Sequence, residues 1–268
     1  MLGVPQPPPR GKPVPLEIVT VPCLRDNYAY LFRDEATGRV GLVDAPEAAP
    51  IEAALGARGW GLDLILITHH HGDHIDGVEA LRRDFGAKVA GAAADARRLP
   101  ALDVPLAVGD TVAVGESVAE VIDVPGHTIG HVGYYFPEAG ALFSADSLMV
   151  MGCGRVFEGT AEQMWASLSK LAALPDATLV HSGHEYAESN ARFALSVDGD
   201  NAALRERAGE IGAMRQMGAA TVPARLDLER ATNPFLRVTA ADFRARNGLE
   251  GLSDAQVFAE VRRRKDSF

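Results

Sequence analysis

The sequence predicts an α/β protein, with strands and helices mixed over the first two thirds and a small helical domain after them. Short apolar runs of strand length recur up to about residue 180 with helical patterns between them, and from about residue 185 that signal yields to helical periodicity. Size agrees with this reading, because 268 residues at 47% hydrophobic composition can bury a full core and still leave chain for a second, smaller unit.

Taken in order, residues 1–15 (MLGVPQPPPRGKPVP) hold six prolines and read as an extended N-terminal arm. Strand candidates follow at 16–21 (LEIVTV), 28–32 (YAYLF), 40–43 (VGLV), 62–67 (LDLILI), 118–124 (VAEVIDV), 133–136 (GYYF), 141–143 (ALF) and 177–180 (ATLV). Helical patterns cover 76–85, opening on Asp76, and 160–174, opening with Thr160 and Gln163 at capping-box spacing. Two more cover 200–218 and 253–265. The last has Ser253 and Gln256 at the same spacing and Val257, Phe258 and Val261 to dock it. The expected units are the arm at 1–15, a catalytic domain at 16–184 and a helical domain at 185–268.

Composition narrows the function. A net charge of −10 with pI near 5.3 opposes a nucleic-acid partner, whose phosphates demand basic surface. Two cysteines, Cys23 and Cys153, exclude a disulfide framework and point to a reducing, cytoplasmic home. Neither a signal segment nor a membrane span is expected.

Residues 68–74 read THHHGDH, and all eight histidines lie between 69 and 184. His69 to His74 follow the strand candidate at 62–67, His127 follows VIDVPG, Asp146 follows ALFSA and His184 follows TLVHSG, so four loops of one sheet edge are expected to converge. Imidazole and carboxylate are the ligands borderline divalent metals prefer. A His-x-His pair can grip one ion while Asp73 and His74 face a second, and a two-ion site wants roughly seven ligands. His69, His71 and His127 suit one ion, Asp73, His74 and His184 the other, with Asp146 bridging. His70 should point the opposite way along an extended backbone. His131 and His181 each lie within four residues of a better candidate and are left out.

THHHGDH, PGHTIGH, LFSADSLMVMGCGR and HSGHEY resemble the metallo-β-lactamase superfamily, and specifically its glyoxalase II family. LRDNYAYLF at 24–32, GCGRVFEG at 152–159, NPFLR at 233–237 and the ending VRRRKDSF extend the resemblance over almost the whole chain after the arm. It implies an αββα sandwich, two mixed sheets face to face with helices outside, and a C-terminal helical domain. It further implies hydrolysis of S-D-lactoylglutathione to glutathione and D-lactate, the second step of methylglyoxal detoxification, with Asp73 and Asp146 at the reacting centre.

Family positions that contact glutathione match Arg155, Phe157, Tyr186, Arg262 and Lys265. Arg155 stands where many members have Lys, and Phe157 where some have Tyr. Two divalent ions are expected, zinc first, although iron or manganese suits the same donors. The expected partner is a small glutathione thioester, met by a monomer with no membrane or nucleic acid involved. A persulfide dioxygenase, with a single iron, is the alternative reading.

Overall fold

The computed structural model describes residues 16–268, so the expected proline-rich arm at 1–15 lies outside the described residues. One sheet holds β1 (Leu16–Cys23), β2 (Asn27–Asp34), β3 (Val40–Val43), β4 (Leu64–Leu66), β5 (Lys88–Ala92) and β6 (Val104–Leu106), in that spatial order. β1 to β3 pair antiparallel and β3 to β6 parallel. The parallel steps are made by α1 (Ala48–Gly56), then by α2 (Gly72–Ile75) and α3 (Val78–Phe85).

A second sheet is built from β7 (Thr111–Val114), β8 (Ser117–Asp123), β9 (Val132–Phe136), β10 (Ala141–Ala145), β13 (Leu179–Ser182) and β14 (Ala224–Arg225), ordered β14-β13-β10-β9-β8-β7. β10 and β13 run parallel across α4 (Ala161–Ala172), and the remaining pairs are antiparallel. A short hairpin of β11 (Leu148–Met149) and β12 (Gly152–Cys153) leaves the second sheet just past β10.

Side-chain alternation sets the layers. Along β2, Tyr28, Tyr30 and Phe32 enter the core between the sheets, where Tyr134, Phe136 and Phe143 meet them, while Ala29 and Leu31 pack outward with Ile51, Leu55, Val78 and Leu81 of the first helical layer. On the far side Tyr135 and Leu142 face Met164, Leu168, Phe258 and Val261. Helix, sheet, sheet and helix therefore stack as the αββα sandwich.

The remaining helices are α5 (Ala187–Asp198), α6 (Ala202–Gln216), α7 (Leu226–Thr232), α8 (Ala241–Asn247) and α9 (Asp254–Asp266). Both capping boxes form, Thr160 with Gln163 and Ser253 with Gln256. Val257, Phe258 and Val261 seat α9 against α4.

Several sequence expectations shift. The helix expected from Asp76 begins at Val78, and a separate short helix, Gly72–Ile75, precedes it, so Asp73 and His74 sit on a helical turn that Asp76 ends. The converging loops come from both sheets, His69 to His74 from the first and His127, Asp146 and His184 from the second. β5, β6 and β7 escape the apolar-run criterion: KVAGA is small and Gly-containing, VPL carries an edge-strand proline, and TVAV is short. β14 arises within the C-terminal segment, where no strand is expected. Among the described residues, no helix is long and apolar enough to cross a membrane.

Candidate metal centre

His69 and His71 leave the end of β4 beside His127, which follows β8, and three ring nitrogens meet. His71 Nδ1 lies 3.1 Å from His69 Nε2 and 3.0 Å from His127 Nε2. Such spacing matches the roughly 3.3 Å edge of a tetrahedron whose centre is about 2.0–2.1 Å from each nitrogen.

The far nitrogens fix the tautomers. His127 Nδ1 donates to the Arg155 carbonyl at 2.9 Å. Thr68 Oγ1 gives its proton to Asp44 Oδ2 at 2.7 Å and can accept from His69 Nδ1 at 3.1 Å. The lone pairs of His69 Nε2 and His127 Nε2 are thereby turned inward. A second group, Asp73, His74 and His184, gathers alongside. His74 Nδ1 donates to Asp44 Oδ2 at 2.7 Å and His184 Nδ1 to Asp26 Oδ1 at 3.0 Å, leaving both Nε2 atoms inward.

Asp146 stands between the groups. Its Oδ2 lies 3.4 Å from His127 Nε2 and 3.3 Å from His184 Nε2, and its Oδ1 lies 3.5 Å from His74 Nε2. His74 Nε2 and Asp146 Oδ1 are buried without a hydrogen-bond partner. Unanswered polar atoms are costly inside a protein, and these belong to a donor set suited to divalent ions. The residues present therefore fit two such ions.

Electrostatics agrees. Burial pulls His69 well below its ordinary range, and the neighbouring rings of His74 and His131 add to that. Burial also opposes protonation of His74, but Asp146 and Asp44 outweigh it and hold the ring well above its usual value. Burial would raise Asp146, yet His74 and His184 hold it well below the carboxylate range. The bridging position thus carries a negative charge for cations to neutralise.

Close approach constrains the backbone. A Cβ on Gly183 would fall 2.4 Å from Asp146 Oδ1 and 2.8 Å from His74 Cε1. Asp44 and Ala145, at the ends of β3 and β10, take positive φ of 55° and 41°, strain of the sort found where a fold must aim particular groups.

Sequence reasoning missed Asp44, Asp26, Thr68 and Asn27, whose Nδ2 donates to the Asp73 carbonyl at 2.9 Å and to Asp73 Oδ2 at 3.1 Å. A signal existed, because Asp44 and Asp26 also follow strands, as Asp146 does, but neither lies in a histidine-bearing motif. His70 turns away as expected, towards Asp95, Arg98 and Glu158. His131 stacks on His69 at 4.7 Å, and His181 packs against Tyr30 and Phe143.

A cavity of about 560 Å³ opens over the centre, lined by His71, Asp73, His127, Asp146 and His184 together with all five expected substrate residues. Phe157 is 62% exposed and leans over His71 and His127 at 5.9 and 5.2 Å. Tyr186 stacks on His184 at 4.8 Å, and burial first, then Asp26, pushes its hydroxyl up to about 12.

Arg262 departs from expectation. It is expected among the glutathione contacts beside Lys265. Its guanidinium is instead buried, donating to the Cys153 carbonyl at 3.1 Å and to Asp266, over the Phe235 ring at 5.0 Å. Lys265 is half-buried between Phe193 and Phe268. Burial first, then Arg262, Arg192 and Arg155, brings its ammonium down to about 8.

Residues 25–184 match the family described as Metallo-beta-lactamase superfamily, and residues 185–268 match Hydroxyacylglutathione hydrolase C-terminus. The hydroxyacylglutathione hydrolase of Ruegeria pomeroyi is 59% identical over 255 residues, 95% of this chain and 100% of that protein. Among solved structures, ETHE1 from Myxococcus xanthus is 26% identical with a TM-score of 0.64, covering 94% of this chain and 99% of that one. TTHA1623, in a di-iron-bound form, is 27% identical with a TM-score of 0.60, covering 82% of this chain and 100% of that one. With the αββα fold, the His/Asp centre and a matching C-terminal segment together, the chain belongs to the hydroxyacylglutathione hydrolase family of the metallo-β-lactamase superfamily.

Proposed function

We propose that this chain hydrolyses S-D-lactoylglutathione to glutathione and D-lactate, the second step of methylglyoxal detoxification, with two zinc ions as its cofactors. The observation that carries the reading is the pair of ligand groups sharing Asp146 at the floor of a cavity whose wall bears Arg155, Arg262 and Lys265. His69, His71 and His127 would hold one ion and Asp73, His74 and His184 the other, with Asp146 within reach of both groups. The di-iron form of a relative supports two ions and leaves the metal's identity to experiment.

When bound, such ions supply Lewis acidity towards a carbonyl and lower the pKa of a water. The chain's own residues do the rest. Asp73, steadied by Asn27 Nδ2, presents a carboxylate at the cavity floor where a proton from the attacking water can be held. A thiolate leaves without an obligatory proton donor, and no Ser or Cys nucleophile is needed: burial pushes the Cys153 thiol up to about 11. Glutathione's carboxylates call for cations, which Lys265 and Arg155 provide with Arg262 behind them. Tyr186, stacked on His184, and Phe157, beside His127, add the remaining glutathione contacts on the cavity wall.

The second ligand group and the match of residues 185–268 favour the hydrolase over a single-iron persulfide dioxygenase. The site is complete within one chain, so the reaction as proposed requires no second copy. The acidic balance and two free cysteines support cytoplasmic work on a small molecule rather than on nucleic acid or membrane. The test is a stopped assay of S-D-lactoylglutathione hydrolysis with elemental analysis of the same preparation. Two zinc equivalents with turnover are expected. One iron per chain, with oxygen uptake on glutathione persulfide, would replace this reading by the dioxygenase.

A further inference from the structure

The segment from Asp146 to Arg155 has no regular sheet to hold it. It leaves β10 through Ala145, folds into the β11–β12 hairpin with Met151 at a positive φ of 58°, and returns to the cavity at Arg155. At its tip, backbone groups find their partners in side chains of the C-terminal helices. Asn233 Nδ2 donates to the Met149 carbonyl at 3.2 Å and to the Gly152 carbonyl at 2.9 Å. Asn190 Nδ2 donates to the Val150 carbonyl at 3.0 Å, Glu229 Oε2 accepts from the Met151 N–H at 3.0 Å, and Arg262 donates to the Cys153 carbonyl at 3.1 Å.

These anchors are themselves fixed. Glu229 and Asn233 are fully buried, Asn233 Nδ2 also lies 2.9 Å from Glu229 Oε2, so that its two hydrogens are shared among three acceptors, and the other Glu229 oxygen is ion-paired with the buried Arg207. Arg207 further donates to Thr232 Oγ1 at 2.6 Å. An amide that donates to two carbonyls of one turn while held by a carboxylate fixes the shape of that turn rather than merely filling space.

We infer that Asn233 and Glu229, with Asn190, are positioning residues for the bridging carboxylate: the C-terminal helices shape the hairpin that holds Asp146 at one end and Arg155 at the other. Arg262 is bonded to the same hairpin and lines the cavity, so the glutathione wall and the metal bridge share one mechanical support. The inference rests on the two-ion thioesterase reading.

The test uses the full chain loaded with manganous ion as the probe. Two ions sharing Asp146 give an exchange-coupled paramagnetic resonance signal. Asn233→Leu keeps the side chain's size and removes its donors. It is expected to weaken uptake of the second equivalent by about tenfold, erase the coupled signal and lower kcat by about tenfold while KM moves less than about threefold. Asp198→Asn is the control, because Asp198 is equally buried in α5 but pairs with Arg237 and Arg246, away from the hairpin. It should cost stability and leave the coupled signal and kcat of the folded protein intact.

If Asn233→Leu does not fold, Asn190→Ala, which removes one bond to the hairpin, decides with the same signal: a weakened coupling supports the inference and an unchanged one overturns it. An unchanged coupled signal and kcat in Asn233→Leu, or equal loss in Asp198→Asn, also overturns it. A wild type that binds a single ion or leaves the thioester intact sinks the functional reading instead. Active wild type with indifferent variants sinks this inference alone.

Discussion

At the metal centre, ring nitrogens and a carboxylate face one another with the far nitrogens of His74, His127 and His184 already satisfied, whereas on the wall of the same cavity Arg262 and Lys265 are engaged by their own chain. His127 Nδ1, His74 Nδ1 and His184 Nδ1 are each answered, by the Arg155 carbonyl, Asp44 and Asp26. What is left can only face inward, where the buried Asp146 carboxylate and the ring nitrogens around it call for positive charge, from a proton on His74 or from cations that replace it. Arg262 instead divides its donors between Cys153 and Asp266, and Lys265 donates to the Ser189 carbonyl at 3.3 Å. The centre is therefore preorganised for one purpose, while the wall combines binding with packing. Substitutions at the centre should remove function without unfolding, and those on the wall should split according to how much packing each cation does.

The sharpest way to break this contrast is Asp146→Ala. One carboxylate spans both groups, so its loss should lower occupancy of both positions and reduce turnover by about a hundredfold or more. The folded state should survive, because His74 keeps its hydrogen bond to Asp44 and His184 its bond to Asp26 when the carboxylate is gone. Full metal content with near-normal kcat would mean that the centre is not shared.

Asp44→Asn comes next. Asp44 Oδ2 accepts from both Thr68 Oγ1 and His74 Nδ1, so it orients His69 in one group, through Thr68, and His74 in the other. Loss of such a partner typically costs about 10–100-fold in metal affinity. Competition against a chelator should show both equivalents weakened. Weakening of one alone would confine Asp44 to the second group.

The wall is probed by a pair. Lys265→Ala should raise KM by about ten- to a hundredfold, the worth of one charged hydrogen bond of about 1.5–3 kcal/mol, with metal content and Tm nearly unchanged. Arg262→Ala should raise KM too but also lower Tm by several degrees, because it orphans the buried Cys153 carbonyl and uncovers Phe235. Thermal unfolding beside steady-state kinetics separates them. Equal Tm values would remove the distinction between a packed and a recruited cation.

This difference also explains what the sequence could show. The ligand-type residues were legible because THHHGDH puts chemically specialised side chains at a spacing that ordinary packing does not need, and His127, Asp146 and His184 follow strands in the same manner. Asp44 and Asp26 were not, because an orienting carboxylate is defined by the neighbour it reaches across space: Asp44 meets His74 thirty positions away, and Asp26 meets His184 across 158. Arg262 was legible as a charge but not as a buried one, since three adjacent arginines look alike until α9 docks and turns one of them inward. The sandwich itself was legible from apolar runs, and its missing strands were those whose burial depends on neighbours rather than on their own side chains.

The mildest test concerns pH, and it depends on Lys265 keeping its charge. Burial, then Arg262, Arg192 and Arg155, depress its pKa from the usual lysine value to about 8, while Asp266 pulls the other way. A depressed amine is protonated below that value and neutral above it, so the attraction for a glutathione carboxylate is present at pH 7 and fades as pH rises through about 8. KM should climb between pH 7 and 9 by about tenfold at most, because each unit above the pKa removes a factor of ten in the charged form, and a bound carboxylate opposes the loss. The substrate's own amine also titrates on the alkaline side, so the wild-type profile cannot be read alone. Lys265→Arg keeps its charge throughout, and the difference between its KM profile and that of the wild type isolates the lysine. Superimposed profiles would show that Lys265 is neutral or fully charged across the range and that the wall binds through Arg155 and Arg262 instead.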